Sequence, residues 1–310
     1  MKELRIISLI ASSTETICAL GFEKELVGIS HECDYPPSVL SLPQCSQPKF
    51  DVQGSSLEID KRVRDVLQNA LSVYKVDVEK LKELNPTVIV TQDHCEVCAV
   101  NLKEVEEAAC EVLSSRPRIV SLAPNTLADI YQGFRQISSA LEAEKSGEQL
   151  IARMQKGMEQ IVEKARSLAN KPRVAFLEWI DPIWTSGSWL PELIKYAGGI
   201  DRLGKKGEHS HTINFHALRE TDAEIMIIAP CGYDIPKAQE EMSPLVTHPE
   251  WKNLRAVKDR QVYIVDGNQY FNRPGPRLLD SLKILAEIFH PESFDFGYNE
   301  KGWIKWKPEC

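Results

Sequence analysis

The chain has 310 residues, of which 43% are hydrophobic and 26% are charged. This is an ordinary globular composition, which excludes disordered, collagen-like and coiled-coil proteins. The 37 basic and 45 acidic residues give a formal net charge of -8, and no run of Lys or Arg stands out, so we expect no nucleic-acid partner. The longest apolar runs are far shorter than the about 20 residues that span a bilayer, so we expect no membrane insertion.

The N-terminal segment predicts a compartment. The apolar run at residues 6–10 is followed at once by polar Ser12, Ser13 and Thr14, and it is too short for the apolar part of a signal peptide. We therefore expect a cytoplasmic protein, or an extracytoplasmic one if a preceding export signal has been removed. The eight cysteines fit reduced thiols inside a cell.

Strands and helices alternate in the first 125 residues. Short apolar runs of strand length lie at residues 5–10, 26–30, 87–91 and 119–122. Helices are predicted at residues 57–71, 78–84 and 102–113. The pattern Ser12-x-x-Glu15 predicts a capping box that opens a helix ending at Gly21. Strands separated by helices indicate a parallel α/β sheet.

The middle of the chain is helical. Apolar residues from Leu127 to Leu141 keep a spacing of three to four, break near Ser146-Gly147 and resume. The second helix, at residues 144–169, would be about 37 Å long.

The α/β pattern then restarts. Strands are predicted at residues 174–178, 224–229 and 262–265, and a last helix at residues 278–289. A helix between them is expected to end at Gly198-Gly199. We predict two parallel-sheet α/β lobes joined by one long bridging helix. The expected divisions are an N-terminal lobe at 1–125, a helical linker at 126–171, a C-terminal lobe at 172–290 and an irregular surface tail at 291–310.

Several motifs, in order, resemble a known family. They are Ser-Ser-Thr-Glu at 12–15, Asp-Tyr-Pro-Pro at 34–37, Leu-Asn-Pro-Thr at 84–87, Trp-Thr-Ser-Gly at 184–187 and Arg-Pro-Gly-Pro-Arg at 273–277. Their spacing is similar to that of vitamin B12-binding proteins in the helical-backbone (class III) family of ABC-transporter substrate-binding proteins. The resemblance implies a non-catalytic protein that binds cobalamin, haem, an iron–siderophore or a metal ion between two lobes.

The loop after the second predicted strand carries His31, Glu32 and Tyr35. A loop at the carboxyl end of a parallel strand faces the ligand crevice of such sheets. His31 offers a neutral ring nitrogen to a metal or to corrinoid cobalt, and Tyr35 offers a flat face. The alternative is a surface loop whose polar groups cap their own turn.

The loop after residues 87–91 is a second candidate. We expect Gln92, His94 and Cys95 to touch the ligand. Cys95-x-x-Cys98 leaves open a cytoplasmic thiol- or metal-dependent enzyme, although zinc ribbons need two such pairs. Because the sequence lacks a glycine-rich phosphate loop and a nucleophile elbow, we predict no enzymatic activity.

Aromatic residues in loops form a third group. Trp179, Trp184, Phe215 and Phe50 are expected to cover a broad planar ligand such as a corrin, with core packing as the alternative. Arg273 is expected to bind a phosphate or amide edge of the ligand.

The remaining candidates concern metals and partners. His31, His209 and His211 are candidate metal ligands. From the resemblance, Glu79 matches a transporter-docking carboxylate of the N-terminal lobe, and Glu220 is a candidate for its counterpart. We therefore expect a monomer that binds cobalamin or a related corrinoid, uses no catalytic cofactor and docks on an ABC-transporter permease. Haem, an iron–siderophore or zinc are the alternative ligands.

Overall fold

The computed structural model describes residues 3–68, 73–92, 105–106 and 116–307. Backbone contacts divide the chain into two compact units. Unit 1 consists of Met1–Gly54, Lys61–Pro124 and Ala128–Arg153, and unit 2 of Ser55–Asp60, Asn125–Leu127 and Met154–Cys310. These divisions differ from the predicted boundaries, because the long helix is shared by the two units and the C-terminal tail belongs to unit 2.

Unit 1 is built on a four-stranded parallel sheet. The strands of this part of the chain are β1 (Ile6–Ser8), β2 (Leu26–Ile29), β3 (Ser46–Pro48), β4 (Tyr74–Val76), β5 (Val88–Gln92) and β6 (Arg118–Leu122). The helices are α1 (Ala11–Ala19), α2 (Ser56–Leu67), α3 (Val78–Leu84) and α4 (Leu127–Ala140). The sheet order is β2-β1-β5-β6, and β3 and β4 form a separate antiparallel pair that the sequence did not predict.

Helix α1 does not begin with the predicted capping box. Its N-cap is Ile10, which has no side-chain acceptor, and Ser12 and Glu15 are buried inside the helix. The predicted end of the helix is confirmed, since Gly21 follows it with a φ of 93°, a conformation that glycine adopts without strain.

The predicted long helix is confirmed as α5 (Glu144–Ser167), which has 24 residues. The break before this helix was predicted near Ser146-Gly147, and that prediction is wrong. The chain turns at Glu142, whose φ is 56°, and Gly147 lies inside α5. A Cβ atom at Gly147 would lie 2.2 Å from Ser138 Oγ on α4, so this glycine permits close packing of the two helices.

Unit 2 contains a seven-stranded mixed sheet. Its strands are β7 (Arg173–Trp179), β8 (Ile183–Thr185), β9 (Ile200–Asp201), β10 (Thr212–Ile213), β11 (Ile225–Ile228), β12 (Val262–Val265) and β13 (Trp303–Lys305). Its helices are α6 (Leu190–Tyr196), α7 (Phe215–Glu220), α8 (Ile235–Glu240), α9 (Ser243–Val246), α10 (Arg255–Lys258) and α11 (Leu278–Phe289). A parallel centre, in which β9, β7, β11 and β12 pair, is edged by antiparallel β8, β10 and β13.

The aromatic tail was expected to be an irregular surface strap, and this expectation is wrong. Strand β13 pairs antiparallel with β12. Trp303 Nε1 donates a hydrogen bond of 2.7 Å to Glu287 Oε2 on α11. The tail therefore completes the sheet of unit 2 by covering the edge of β12.

Short turns of helix complete the description. Among the residues that the structure describes, 3₁₀ segments lie at Glu23–Glu25, Pro37–Ser41 and Trp251–Asn253, and a π-helical turn lies at Gly267–Phe271. Within the described ranges, no helix combines the length and apolarity that crossing a membrane requires.

The close contact at Gly147 gives a stability prediction. We expect Gly147→Ala to lower the free energy of unfolding by about 1–3 kcal/mol, because the added methyl group overlaps buried Ser138. The matched control is Gly133→Ala on α4, whose Cβ would lie 3.4 Å from its nearest neighbour, Leu122. That control should be stabilised by up to about 1 kcal/mol through helix propensity. Denaturant unfolding of both variants measures the difference, and equal stabilities would contradict the packing argument.

Candidate functional site

Unit 1 has a topological switch point between β1 and β5. From β1 the chain passes through α1 to β2 on one side, and it later returns to β5 on the other side. Open α/β sheets bind ligands outside the carboxyl ends of their strands at such points. The polar side chains that follow β1, β2 and β5 are therefore the candidate site of unit 1.

His31 follows β2 and is held by the β3–β4 pair. Its Nδ1 lies 2.9 Å from Ser46 Oγ, and its ring packs edge-on against Tyr74 with centroids 4.8 Å apart. Burial lowers the pKa of His31 below its usual value, because desolvation disfavours the imidazolium. The ring is therefore neutral at pH 7, and Nε2 is the nitrogen that coordination would use.

Glu32 and Tyr35 continue this loop. The hydroxyl of Tyr74 donates a hydrogen bond of 2.6 Å to Glu32 Oε1, which ties the loop to β4. Tyr35 is 43% exposed. Phe50 is half-buried beyond β3. Sequence reasoning missed Ser46 and Tyr74, since neither strand of the pair has a strong pattern.

A buried network of hydroxyl groups joins β1 to α1. Ser8 Oγ lies 2.6 Å from Ser13 Oγ and accepts a hydrogen bond of 2.8 Å from Thr14 Oγ1. Ser13 Oγ also donates to the carbonyl of Ile10, and Thr14 Oγ1 lies 3.0 Å from Cys33 Sγ. These polar groups satisfy one another inside unit 1, so they stabilise the fold.

Two buried polar groups at the same edge of the sheet, unlike these hydroxyls, have no hydrogen-bond partner among the described residues. Gln92 and Ser12 are 3% and 2% exposed, yet Gln92 Oε1 and Ser12 Oγ have no hydrogen-bond partner among the described residues. Sequence reasoning selected Gln92 because it follows the predicted strand at residues 87–91, and it missed Ser12. His94, Cys95 and Cys98, which were predicted beside Gln92, lie outside the described residues.

Unit 2 has a corresponding switch point between β7 and β11. Trp179 ends β7, and its ring lies 5.1 Å from that of Tyr233, which follows β11. Trp179 Nε1 donates to the carbonyl of Ser56 at 3.2 Å, and the Ser56 N–H donates to Glu241 Oε2 at 2.8 Å. Burial and the nearby charge of Glu241 raise the pKa of Tyr233, so its hydroxyl stays protonated.

The other predicted aromatic residues have different environments. Trp184 is half-buried on β8, next to the edge strand β10. Phe215 is 8% exposed and stacks on His248 at 3.7 Å, so its ring is already covered within unit 2. Phe215 therefore packs in the core of unit 2.

Arg273 follows the π-helical turn at the carboxyl end of β12. It is 6% exposed, and its Nη2 donates a hydrogen bond of 2.8 Å to Asn268 Oδ1. Nearby Asp266 is also buried, and desolvation raises its pKa although Arg273 and Arg277 oppose that shift. Protein covers most of the surface of Arg273, and its role in binding a phosphate or amide edge of the ligand stays a prediction.

The predicted metal ligands are not grouped. His209 and His211 are exposed in a loop of unit 2, where His211 Nδ1 lies 3.3 Å from Thr185 Oγ1. No three His, Cys, Asp or Glu side chains of the described residues are close enough together to bind a metal ion. The described residues therefore contain no assembled site for zinc, which was the alternative ligand.

The docking candidates are both exposed. Glu79 lies in the first turn of α3, where a carboxylate faces the positive end of the helix dipole. Glu220 ends α7 and forms an ion pair of 3.6 Å with Arg219. Glu79 and Glu220 both remain predictions as docking residues.

Two of the described thiols, those of Cys18 and Cys45, are poor nucleophiles. Burial raises the pKa of Cys18 to about 12 and that of Cys45 to about 11. A thiol reacts as its thiolate, so these two cysteines stay unreactive at neutral pH.

Comparisons with known proteins identify the family. The family described as "Periplasmic binding protein" matches residues 6–268. A Bacillus subtilis relative, the uncharacterized ABC transporter substrate-binding lipoprotein YvrC, is 24% identical over 296 residues, which are 94% of this chain and 81% of the relative. The chain belongs to the periplasmic binding protein family.

Solved structures share the fold. The heme-binding protein RhuT from Roseiflexus sp. RS-1 has a TM-score of 0.69 and 21% identity over 94% of this chain and 99% of that structure. The vitamin B12 binding protein BtuF of Vibrio cholerae has a TM-score of 0.65 and 19% identity over 92% of this chain and 96% of that structure. These likenesses confirm the predicted class III fold.

The predicted cytoplasmic location is wrong. The matching family is periplasmic, and the Bacillus relative is a lipoprotein that serves a transporter, so such proteins work outside the cytoplasm. The prediction relied on the apolar run at residues 6–10, which contains β1 and carries no information about the compartment. The alternative of a cytoplasmic enzyme loses its support with the location.

The environment of His31 predicts a pH dependence. Because its pKa is lowered in the folded protein, the unfolded chain takes up a proton first as the pH falls below about 6.5. Stability contributed by neutral His31 is therefore complete above that pH and is lost as the pH falls through the folded pKa. We expect His31→Gln to lose less unfolding free energy than the wild type between pH 7.5 and 5. Thermal unfolding at both pH values measures this, and equal losses would contradict it.

Proposed function

We propose that this protein binds a corrinoid of the cobalamin type and presents it to an ABC importer. The observation that carries the proposal is the environment of His31: a neutral imidazole, fixed through Nδ1 by Ser46, at the carboxyl end of β2. An imidazole held in this way is suited to be an axial ligand of cobalt, because the second nitrogen is oriented by the hydrogen bond of the first.

Aromatic surface supports a flat ligand. Tyr35 is exposed in the loop of unit 1 that also carries His31. Aromatic side chains bury much area on a planar ring system at a small cost in conformational entropy. The order of motifs from Ser12 to Arg277 also resembles vitamin B12-binding proteins.

Haem is the second candidate ligand. Histidine and tyrosine are both axial ligands of haem iron, and the loop after β2 supplies both as His31 and Tyr35. Heme-binding proteins are also among the structures that share this fold.

Titration with aquacobalamin and with hemin tests the ligand. We expect the corrin absorption bands to shift on mixing aquacobalamin with the wild type, since imidazole replaces the axial water. His31→Ala should abolish the shift, whereas His216→Ala, at an exposed position on α7, should retain it. Absence of binding to aquacobalamin and to dicyanocobinamide at high micromolar concentration would overturn the proposal. Binding of hemin alone would establish the second candidate.

Docking through Glu79 is the second part of the proposed function. We expect Glu79→Lys to reduce stimulation of the transporter's ATPase at least tenfold, because charge reversal replaces attraction to the permease by repulsion. Ligand affinity should not change. The matched control is Glu83→Lys, an exposed glutamate on the same helix. Equal effects of the two variants would show that α3 contributes only general charge.

A further inference from the structure

A buried glutamate on α11 holds the C-terminal tail, which is residues 291–307. Glu287 is 4% exposed. Its Oε1 accepts hydrogen bonds from the N–H groups of Phe296 and Tyr298, and its Oε2 accepts one of 2.7 Å from Trp303 Nε1. Both carboxylate oxygens therefore bind donors of the tail, and hydrogen bonds to a carboxylate are about twice as strong as those between neutral groups.

The same tail contacts the π-helical turn Gly267–Phe271 at the carboxyl end of β12. The carbonyl of Gly302 accepts a hydrogen bond of 3.0 Å from the N–H of Asp266, which is the N-cap of the turn. The ring of Tyr298 lies edge-on against that of Tyr270, with centroids 5.8 Å apart. The tail thus contacts the turn at its beginning and again at its fourth residue.

The turn also packs on the loop that follows β11. A Cβ atom at Gly267 would lie 2.3 Å from the carbonyl oxygen of Pro230. The N–H of Asn268 donates a hydrogen bond of 3.0 Å to the carbonyl of Tyr233, and Asn268 Oδ1 accepts one of 2.8 Å from Arg273 Nη2. The position of the turn, and of the arginine bonded to it, therefore depends on two neighbours, this loop and the tail.

A turn of this kind needs such neighbours. A single helical turn fixes several residues for few hydrogen bonds, so it is unstable alone. Single π-helical turns are rare and occur frequently at functional sites. This turn follows a parallel strand of unit 2, and the carboxyl ends of such strands form the edge at which open α/β sheets bind ligands.

We propose that Glu287 is a positioning residue that acts through the tail. It holds the π-helical turn, with Asn268 and the neighbouring Arg273, in the geometry used for ligand binding. This role rests on the proposed function, because Arg273 is a predicted ligand contact. The tail itself lies beyond the part of the chain that matches the family, residues 6–268.

Hydrogen exchange of Glu287→Gln tests whether the tail holds the turn. The NH₂ group that replaces one carboxylate oxygen meets a donor of the tail whichever way the amide is turned. We expect the amides at residues 266–271 to exchange at least about tenfold faster, since hydrogen bonds to a charged group are lost. Exchange at residues 88–91 of unit 1 should not change. The matched control is Glu292→Gln, an exposed glutamate of the tail, which should leave both segments as in the wild type.

Trp303→Phe separates this hydrogen bond from a general loss of packing. Alone, it removes the donor to Glu287 Oε2 and should speed exchange in the same turn. Combined with Glu287→Gln, it removes the N–H that the new NH₂ group meets, so the double variant should exchange more slowly than Glu287→Gln alone. Additive effects of the two changes would show that Glu287 does not act through this hydrogen bond, and would overturn the proposal.

Binding of aquacobalamin separates positioning from stability. Calorimetry is done well below the unfolding temperature of every variant. We expect Glu287→Gln and Trp303→Phe to weaken the affinity by about threefold or more, because the apparent affinity falls with the fraction of molecules whose turn is in place. The double variant should bind more tightly than Glu287→Gln. At saturation the shifted corrin spectrum should equal that of the wild type, because His31 is unchanged.

The outcomes that contradict the proposal are distinct. Unchanged exchange at residues 266–271 in the single variants would show that the tail does not hold the turn. Faster exchange with unchanged affinity would overturn the role in binding and leave the proposed function standing. If Glu287→Gln does not fold, the exchange and affinity of Trp303→Phe decide the question. Failure of the wild type to bind aquacobalamin would overturn the proposed function and the role of Glu287 in it.

Discussion

Hydrogen bonding of β1 to two parallel neighbours is the constraint on which unit 1 depends. Because β1 pairs with β2 on one side and β5 on the other, the connections leave its carboxyl end in opposite directions. The chain cannot close over that end with regular structure, so loops and helix termini surround it. The candidate site follows from this arrangement, since every strand delivers the residues after it to the same edge.

Two groups of polar residues at this edge have different physical roles. Ser8, Ser13 and Thr14 bond to one another and attach α1 to β1. His31 and Glu32 are bonded instead to the β3–β4 pair through Ser46 and Tyr74. A hydroxyl in a closed network stabilises the fold, whereas the imidazole of His31, fixed through Nδ1, would bind the proposed ligand through Nε2. Burial alone does not separate these roles, but hydrogen-bond partners do.

Unit 2 also has a topological switch point at the carboxyl ends of its parallel strands, with different side chains around it. Its switch point lies between β7 and β11 and is occupied by the rings of Trp179 and Tyr233. Ser56, in the first turn of α2, accepts a hydrogen bond from Trp179 and donates one to Glu241. These two hydrogen bonds attach that turn to unit 2. The chain at residues 55–60 therefore belongs to unit 2 although the residues on either side belong to unit 1. Aromatic area characterises this edge, and polar groups characterise the edge in unit 1.

Periodicity and apolar runs determined most of the elements. The strand at 262–265 and the helix at 278–289 have the predicted bounds, since each is a strong local pattern that burial reinforces. Local pattern was insufficient where a partner decides the structure. The β3–β4 pair consists of three-residue strands far apart in the chain, and β13 exists because β12 offers an unpaired edge.

The same division applies to the site. Position after a parallel strand is a local property, so the sequence alone indicated His31 and Gln92. Only the tertiary structure decided which polar atoms are satisfied, because the partners of His31 come from residues 15 and 43 positions away, Ser46 and Tyr74. It also moved Phe215 into the core, against His248. A side chain's role depends on what packs against it, and distant contacts of that kind are not encoded in spacing along the chain.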